Sequence, residues 1–539
     1  MKFFDERFNK LSSKNVRRDI SAGITVGVVA VPLAMAFAIA SGLPPIIGLY
    51  TAVIAGFLVS LLGGSKYQIA GPTGAFIPVV SAVIYKYGYE GLLITTFISG
   101  IMILLLSFFK VGRMIKFMPI SVTVGFTAGI AIVIFFDQID EFLGITYKKS
   151  PHFHQNVIEI FKNINNINIY AIITALIGGI TIYFISKFKI KIPMLLTALI
   201  IPTTVATLFF PNQVSTIGSV FGEIPSELPE LNLSSFDFDF NNIKQYIAPA
   251  FTIAFLGALE SLLSASVADS MTNTKMNPDK ELFGQGIANI ITPLFGGIPS
   301  TGAIARTATN IQSGAISPLS GMIHSLVVLL CILFLSPLAS YIPLAAMAPI
   351  LMRVAYNMSE IRHVFKLIKT KSGETLVLVI TMLLTVFMDL TIAVEFGIIL
   401  SILIFIRQMS IETAAIEETD RTRNIPNVSI ITFKGPLFFG ATSVIDTISM
   451  KLFKDETKII ILNMHFLPII DITAVELLHN SIKDLKKRGL DVYLSHIPPR
   501  VFLKLKEEGI INTVGENKIF FTTTEAIEYA KLVLNNNNS

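Results

Sequence analysis

Two stretches of this chain combine glycine, proline and hydroxyl residues in a pattern suited to holding an anion. The first is Gly71-Pro72-Thr73-Gly74-Ala75. The second runs from Gly296-Gly297 through Thr301-Gly302-Ala303-Ile304 to Arg306 and Asn310. Proline fits the first turn of a helix, where its missing N–H is not needed. A helix start leaves backbone N–H groups unpaired and carries a partial positive charge. Two such starts facing one another would bind an anion without a full cationic ligand and still release it. The glycines allow the ligand to approach the backbone closely. The expected binding backbone is therefore Thr73, Gly74 and Ala75 on one side and Gly302, Ala303 and Ile304 on the other. The plainer reading is that these glycines only let helices pack closely in a membrane.

The two stretches echo each other. Ile54-Ala55, Leu61 and Gly63-Gly64 recur with the spacing of Ile287-Ala288, Leu294 and Gly296-Gly297, and each block leads into Thr-Gly-Ala. Paired Gly/Pro-interrupted segments in matching places of two halves point to a transport site.

Few ionisable residues lie in apolar runs, and each is a functional candidate. Arg306 would add positive potential to the anion site, or else pair with Glu260. Glu260 would take up a proton, or coordinate Na⁺ together with the Ser264 hydroxyl one helical turn on. Phe37, after Pro32, would line the site or simply pack. Gln68 would satisfy freed backbone groups or touch the ligand. Glu281 and Gln285 read first as a helix-start charge and a packing amide.

These residues need many apolar elements to position them, and the chain supplies them. Its 539 residues are 52% hydrophobic and 15% charged, and the mean hydropathy is +0.68. That is too apolar for a soluble protein. About 14 spans are long enough, or nearly so, for a bilayer core of roughly 30 Å. They lie near 20–41, 46–63, 67–86, 91–109, 112–136, 168–187, 192–210, 247–270, 280–295, 301–315, 317–340, 341–357, 373–389 and 390–408. The third and tenth are short half-helices that begin after Gly/Pro clusters. Basic groups such as Arg17, Arg113, Lys187 and Arg362 fall on one side if the N-terminus is inside, and acidic Glu223, Glu227 and Glu230 on the other. Both termini are then cytoplasmic. Seven spans per half, 20–212 and 245–410, makes the second half inverted relative to the first. Residues 1–19 form a cytoplasmic N-terminal segment, with no signal-peptide cleavage pattern.

Beyond a linker at 411–426 the character changes. Strands at Asn427–Phe433, Lys458–Met464, Leu490–His496 and Lys518–Phe521 alternate with helical patterns at Ala441–Leu452, Ile472–Arg488, Pro499–Glu508 and Thr523–Val533. This argues a small soluble α/β domain over 427–534, with a disordered tail at 535–539. The one cysteine, Cys331, excludes a disulfide framework or thiolate metal cluster. No nucleotide-binding loop, metal-ligand cluster or nucleophile–base set suggests an enzyme, and nothing suggests a nucleic-acid partner.

The motifs together resemble the SulP family (sulfate permease, solute carrier 26). The resemblance is carried by Pro32-Leu-Ala-Met-Ala-Phe37, Ser41 to Tyr50, Gly71 to Gly74, Glu260 to Asp269, and Gly296 to Asn310. It implies a core of spans 1–4 and 8–11 and a gate of spans 5–7 and 12–14. It also implies an anion site between spans three and ten, elevator-type movement and a homodimer. The tail resembles a STAS domain. Asp471-Ile472-Thr473-Ala474 matches a loop that carries a phosphorylatable hydroxyl in soluble relatives; the plainer role for Thr473 is a helix N-cap. Sodium-coupled bicarbonate members resemble the chain at Glu260 and Ser264, but carry Asp and Thr there and Thr in place of Ile304. The expectation is a secondary active transporter of a small anion (sulfate, bicarbonate or a dicarboxylate) in the cytoplasmic membrane. It would be proton-coupled through Glu260, with no cofactor or metal and with H⁺ or Na⁺ as coupling ion. The competing readings are an uncoupled anion channel and a Na⁺-coupled bicarbonate symporter.

Overall fold

A computed structural model of the chain describes residues 6–8, 12–113, 119–147, 149–150, 153–188, 192–231, 243–370, 372–388, 390–417, 427–442, 444–445 and 457–536. It contains two compact units, Met1–Ile398 and Ile399–Ser539. The expected helix at Ala441–Leu452 lies mostly outside the described residues.

The first unit is helical. In chain order it has α1 (Ser13–Ala40), α2 (Pro45–Leu62), a two-residue strand β1 (Ala70–Gly71), a single 3₁₀ turn (Gly74–Phe76) and α3 (Ile77–Phe108). There follow α4 (Ile120–Asp137), α5 (Ile139–Leu143), α6 (Phe153–Lys162), α7 (Ile169–Phe188), α8 (Met194–Phe209) and α9 (Ile217–Phe221). The second half opens with α10 (Ile243–Thr272) and α11 (Pro278–Leu294). Then come β2 (Thr301–Gly302), α12 (Ile304–Gln312), α13 (Leu319–Ala339), α14 (Leu344–Met358), α15 (Ile361–Lys369) and α16 (Gly373–Phe387), and α17 (Leu390–Glu412) runs across the boundary of the two units. Among the described residues eight helices are long and apolar enough to cross a membrane; α8 and α16 are apolar but shorter. Expected spans three and four form one continuous element broken at Gly88, whose φ of 71° and ψ of −175° suit glycine.

The helices pack as two groups. α1, α2, α3, α10, α11, α12 and α13 lie against one another, and α4, α5, α7, α8, α14 and α16 form the other. Glycines let backbones meet within the groups. A Cβ on Gly100 of α3 would stand 2.6 Å from the Ile290 nitrogen of α11, and one on Gly125 of α4 would stand 2.5 Å from the Leu378 oxygen of α16.

One helix face of α11 organises the first group. Glu281, Gln285 and Asn289, spaced i, i+4 and i+8, are all fully buried. Glu281 Oε2 accepts the backbone N–H groups of Gly64 (2.7 Å) and Ser65 (2.8 Å) beyond the end of α2. It therefore secures a distant loop and is more than the helix-start charge expected from the sequence. Glu281→Ala should leave two buried donors unpaired and cost about 3 kcal/mol. Thermal unfolding of the purified protein reads this directly, and an unchanged midpoint would remove the role.

The second unit contains a five-stranded sheet in the order β3-β4-β5-β6-β7. Its strands are β3 (Ala414–Glu417), β4 (Val428–Lys434), β5 (Ile459–Phe466), β6 (Asp491–Ser495) and β7 (Ile519–Phe520). β3 pairs antiparallel with β4; the rest pair in parallel. The helices are α18 (Ile472–Lys487), α19 (Pro499–Glu507), α20 (Ile510–Val514) and α21 (Thr523–Asn536). The near-continuous apolar runs of β4 and β5 are buried, as parallel strands covered on both faces require. The sheet starts earlier than the sequence suggested: β3 lies in the stretch read as linker. Four residues with two alanines give too weak a strand signal on their own.

Candidate functional site

The two interrupted stretches meet. β1 and β2 pair antiparallel, Ala70 opposite Gly302 and Gly71 opposite Thr301. The Ala303 N–H continues the contact by donating to the Ile69 carbonyl (2.8 Å), and the Ile69 N–H donates to the Thr307 hydroxyl (3.1 Å). Beyond this crossing the chain enters a helical turn on each side, at Gly74 and at Ile304. Neither start has a side-chain cap: Thr73 and Ala303 occupy the N-cap positions without one. Uncapped starts present free N–H groups and the positive ends of two helix dipoles. The mini-sheet thus joins the two interrupted stretches; in its antiparallel register Ala303 lies beside Ile69, and the turns at Gly74 and Ile304 leave the crossing at opposite ends.

Hydrogen bonds to α10 and α11 fix this crossing. Gln68 is buried and its Nε2 donates to the Ser261 carbonyl and hydroxyl (3.0 Å each). It therefore ties the first stretch to α10. Gln285 Nε2 donates to the Ser300 carbonyl (2.6 Å). Asn289 exchanges two bonds of 2.9 Å with the Ser300 backbone. Thr301 donates to the Gly257 carbonyl (2.8 Å). Asn289, Ser300 and Thr307 were not singled out from the sequence. The polar i, i+4, i+8 row on α11 was the available signal for Asn289.

Glu260 and Arg306 take separate partners. The Thr73 hydroxyl donates to Glu260 Oε2 at 3.0 Å, coupling this carboxyl to the first helix start. Arg306 is 1% exposed and its Nη2 donates to the Pro72 carbonyl; Nη1 has no partner. The pairing of Arg306 with Glu260 left open by the sequence is not formed. Gly71 makes room for the guanidinium, since a Cβ there would stand 2.7 Å from Nη1. Ser264 donates to the Thr307 hydroxyl (3.2 Å). Phe37 is buried, and its Cε1 lies 3.5 Å from an ideal Cβ on Gly74. The same point is 3.1 Å from Met358 Sδ of α14 and 3.4 Å from Ile134 Cδ1 of α4. Gly74 therefore sits where the two helix groups meet. Ile304 is 43% exposed and turns an apolar side chain, with no oxygen, toward open space.

In the second unit Thr473 is exposed in the first turn of α18, and it is not the N-cap. Asp471 takes that role: its Oδ1 accepts from Ala474 N (2.8 Å) and its Oδ2 from Phe439 N (2.9 Å). Its extended backbone and short acceptor suit the cap. Asp471→Ala should cost about 1 kcal/mol, and Thr473→Ala close to nothing. Equal losses in denaturant unfolding would reverse the assignment.

Comparison with known proteins follows the same division. Residues 16–381 match the model of the sulfate permease family and residues 421–526 that of the STAS domain. The chain is 45% identical over 522 residues to the Bacillus subtilis (strain 168) protein named "Putative sulfate transporter YvdB", covering 96% of this chain and 98% of that one. It is 31% identical over 555 residues to the bicarbonate transporter BicA of Picosynechococcus sp., covering 97% and 96%. The fold superimposes on the overall structure of SLC26A9 with a TM-score of 0.85 at 18% identity, over 98% of this chain and 92% of that one.

Proposed function

This chain belongs to the sulfate permease family, whose members are membrane anion transporters and not enzymes, and from that premise we propose that it is a secondary active transporter of a small anion coupled to protons through Glu260. The observation that carries the reading is the β1–β2 crossing, which joins the two segments that lead into uncapped helix starts. An anion at Thr73–Ala75 and Gly302–Ile304 would be held by backbone dipoles, with the buried Arg306 adding positive potential behind Gly71. Sulfate and bicarbonate are the first candidates, because the relatives' names carry them. A dicarboxylate has the same charge chemistry.

Coupling rests on the Thr73–Glu260 hydrogen bond. A carboxyl that accepts from the anion-binding segment changes that segment's hydrogen bonding when it gains a proton. Sodium is the weaker reading. Ser264 is directed to Thr307, Ile304 offers no oxygen, and Thr73 is the hydroxyl that reaches the Glu260 carboxyl. Movement of one helix group past the other supplies alternating access in this reading. It is supported by the two-group packing and by Gly74 at their meeting place. The spans, as a 7+7 inverted repeat, would place both termini in the cytoplasm, and the protein would work as a homodimer in the cytoplasmic membrane. Thr473, exposed at a helix start, remains the candidate regulatory hydroxyl.

The test is uptake of radiolabelled sulfate, bicarbonate and fumarate into proteoliposomes, under a pH gradient and then a Na⁺ gradient. Acid outside should drive accumulation of one anion. Accumulation driven by Na⁺ alone would overturn the proton assignment. Unitary anion currents without driven uptake would make the protein a channel.

A further inference from the structure

Two cavities of about 540 Å³ each open along the seam where α8 of one helix group faces α1, α2 and α13 of the other. One is apolar and is lined by Pro32, Met35, Leu199, Ile200 and Leu335 among others. The second lies beyond the end of α8 and offers Asn212, Thr216, Glu223 and Ser340. Thr207 and Tyr341 line both, so the two form a continuous crevice with an oily half and a polar half. Ile200 and Leu335 are exposed on helices whose outer faces are apolar and suited to hydrocarbon, and Tyr341 is exposed in the turn beyond α13. The crevice therefore opens to the bilayer. Tyrosine at the junction of the two halves is the side chain expected at the interface between hydrocarbon and headgroups.

We propose that this crevice holds one phospholipid with a primary-amine headgroup, its acyl chain against α1, α8 and α13 and its ammonium at Glu223. The charge pattern selects the headgroup. Glu223 lines the polar half, and no lysine or arginine is among the described residues lining either half. An anionic headgroup would find no counter-charge there and would meet a carboxylate. A zwitterionic amine headgroup places its cation on Glu223 and its phosphate among hydroxyls. The binding itself does not depend on the transport reading. If that reading holds, the lipid sits in the seam that must slide, and bilayer composition sets the transport rate.

The chain contains no tryptophan, so a single introduced indole reports without background. Leu335→Trp places it at the apolar half of the crevice. Phe334→Trp places it on the same helix at an exposed position that does not line the crevice. Both variants would be reconstituted with brominated-chain phosphatidylethanolamine or phosphatidylglycerol. In L335W the amine lipid should quench at about threefold lower mole fraction than the anionic one, the scale of one partly screened ion pair. F334W should show no preference, and Glu223→Gln should abolish the preference in L335W. Identical lipid dependence at both positions, or a preference that survives E223Q, would overturn the proposal. So would an L335W indole shielded from both lipids, as when a second copy of the chain covers the crevice. Should L335W fail to fold, Cys331, the sole cysteine, lines the same crevice. Its alkylation by a bilayer-soluble maleimide should be slower in the amine lipid, and equal rates would also overturn the proposal.

Discussion

Gly302→Ala should reduce anion affinity by about 100-fold while the protein still folds. A Cβ at this position would stand 1.7 Å from Gln68 Nε2 and 3.1 Å from the Ser261 Cα. The amide of Gln68 must move, and it then loses both of its bonds to Ser261. Unpairing buried polar groups costs roughly 1–3 kcal/mol each, and about 2.8 kcal/mol corresponds to 100-fold in affinity. The damage should arise through Gln68. Adding Gly302→Ala to a Gln68→Ala background should therefore cost much less than adding it to the wild type. Substrate binding measured calorimetrically on the four proteins of this cycle decides the matter. Normal affinity in the single variant would move the site elsewhere. An additive double variant would leave the clash with Gln68 without effect.

Glu260→Gln should uncouple the protein without abolishing exchange. With one proton per anion, a pH difference of one unit supports about tenfold accumulation, since one unit is about 1.4 kcal/mol. Glutamine keeps an acceptor for the Thr73 hydroxyl but carries no titratable proton. Driven accumulation should fall to the equilibrium level, while counterflow of labelled anion persists at a reduced rate. Gradient-driven accumulation at wild-type strength would make Glu260 a structural residue. Loss of counterflow as well would mean that its charge, and not its proton, holds the site together.

The parts of this site that sequence could reveal were those with a local signature. Gly71-Pro72-Thr73-Gly74 and Thr301-Gly302-Ala303 interrupt apolar runs, and their pairing follows from the internal repeat. The antiparallel bridge between Ala70 and Gly302 left no mark, because two residues are too short for any strand periodicity. Arg306 and Glu260 were visible as charges in apolar segments. Their partners were not, since Pro72 O and Thr73 Oγ1 become neighbours only through the crossing. Ser300 is held by Gln285 and Asn289 of the preceding α11, a contact that no local pattern encodes. In the second unit the buried strands were read from their apolar runs. β3 was missed because an exposed antiparallel edge does not need such a run.

The β1–β2 bridge also bears on how the protein is made. Ile69 waits for a partner 238 residues downstream in the chain, Thr307. Until the ribosome has delivered that partner, the Ile69–Gly71 backbone has unpaired groups in a lipid environment, each costing several kcal/mol. The first half is thus an incomplete product during synthesis, and its most exposed backbone is the future binding segment. Quality control that senses unpaired backbone in the bilayer would therefore be reading whether the transport site has closed.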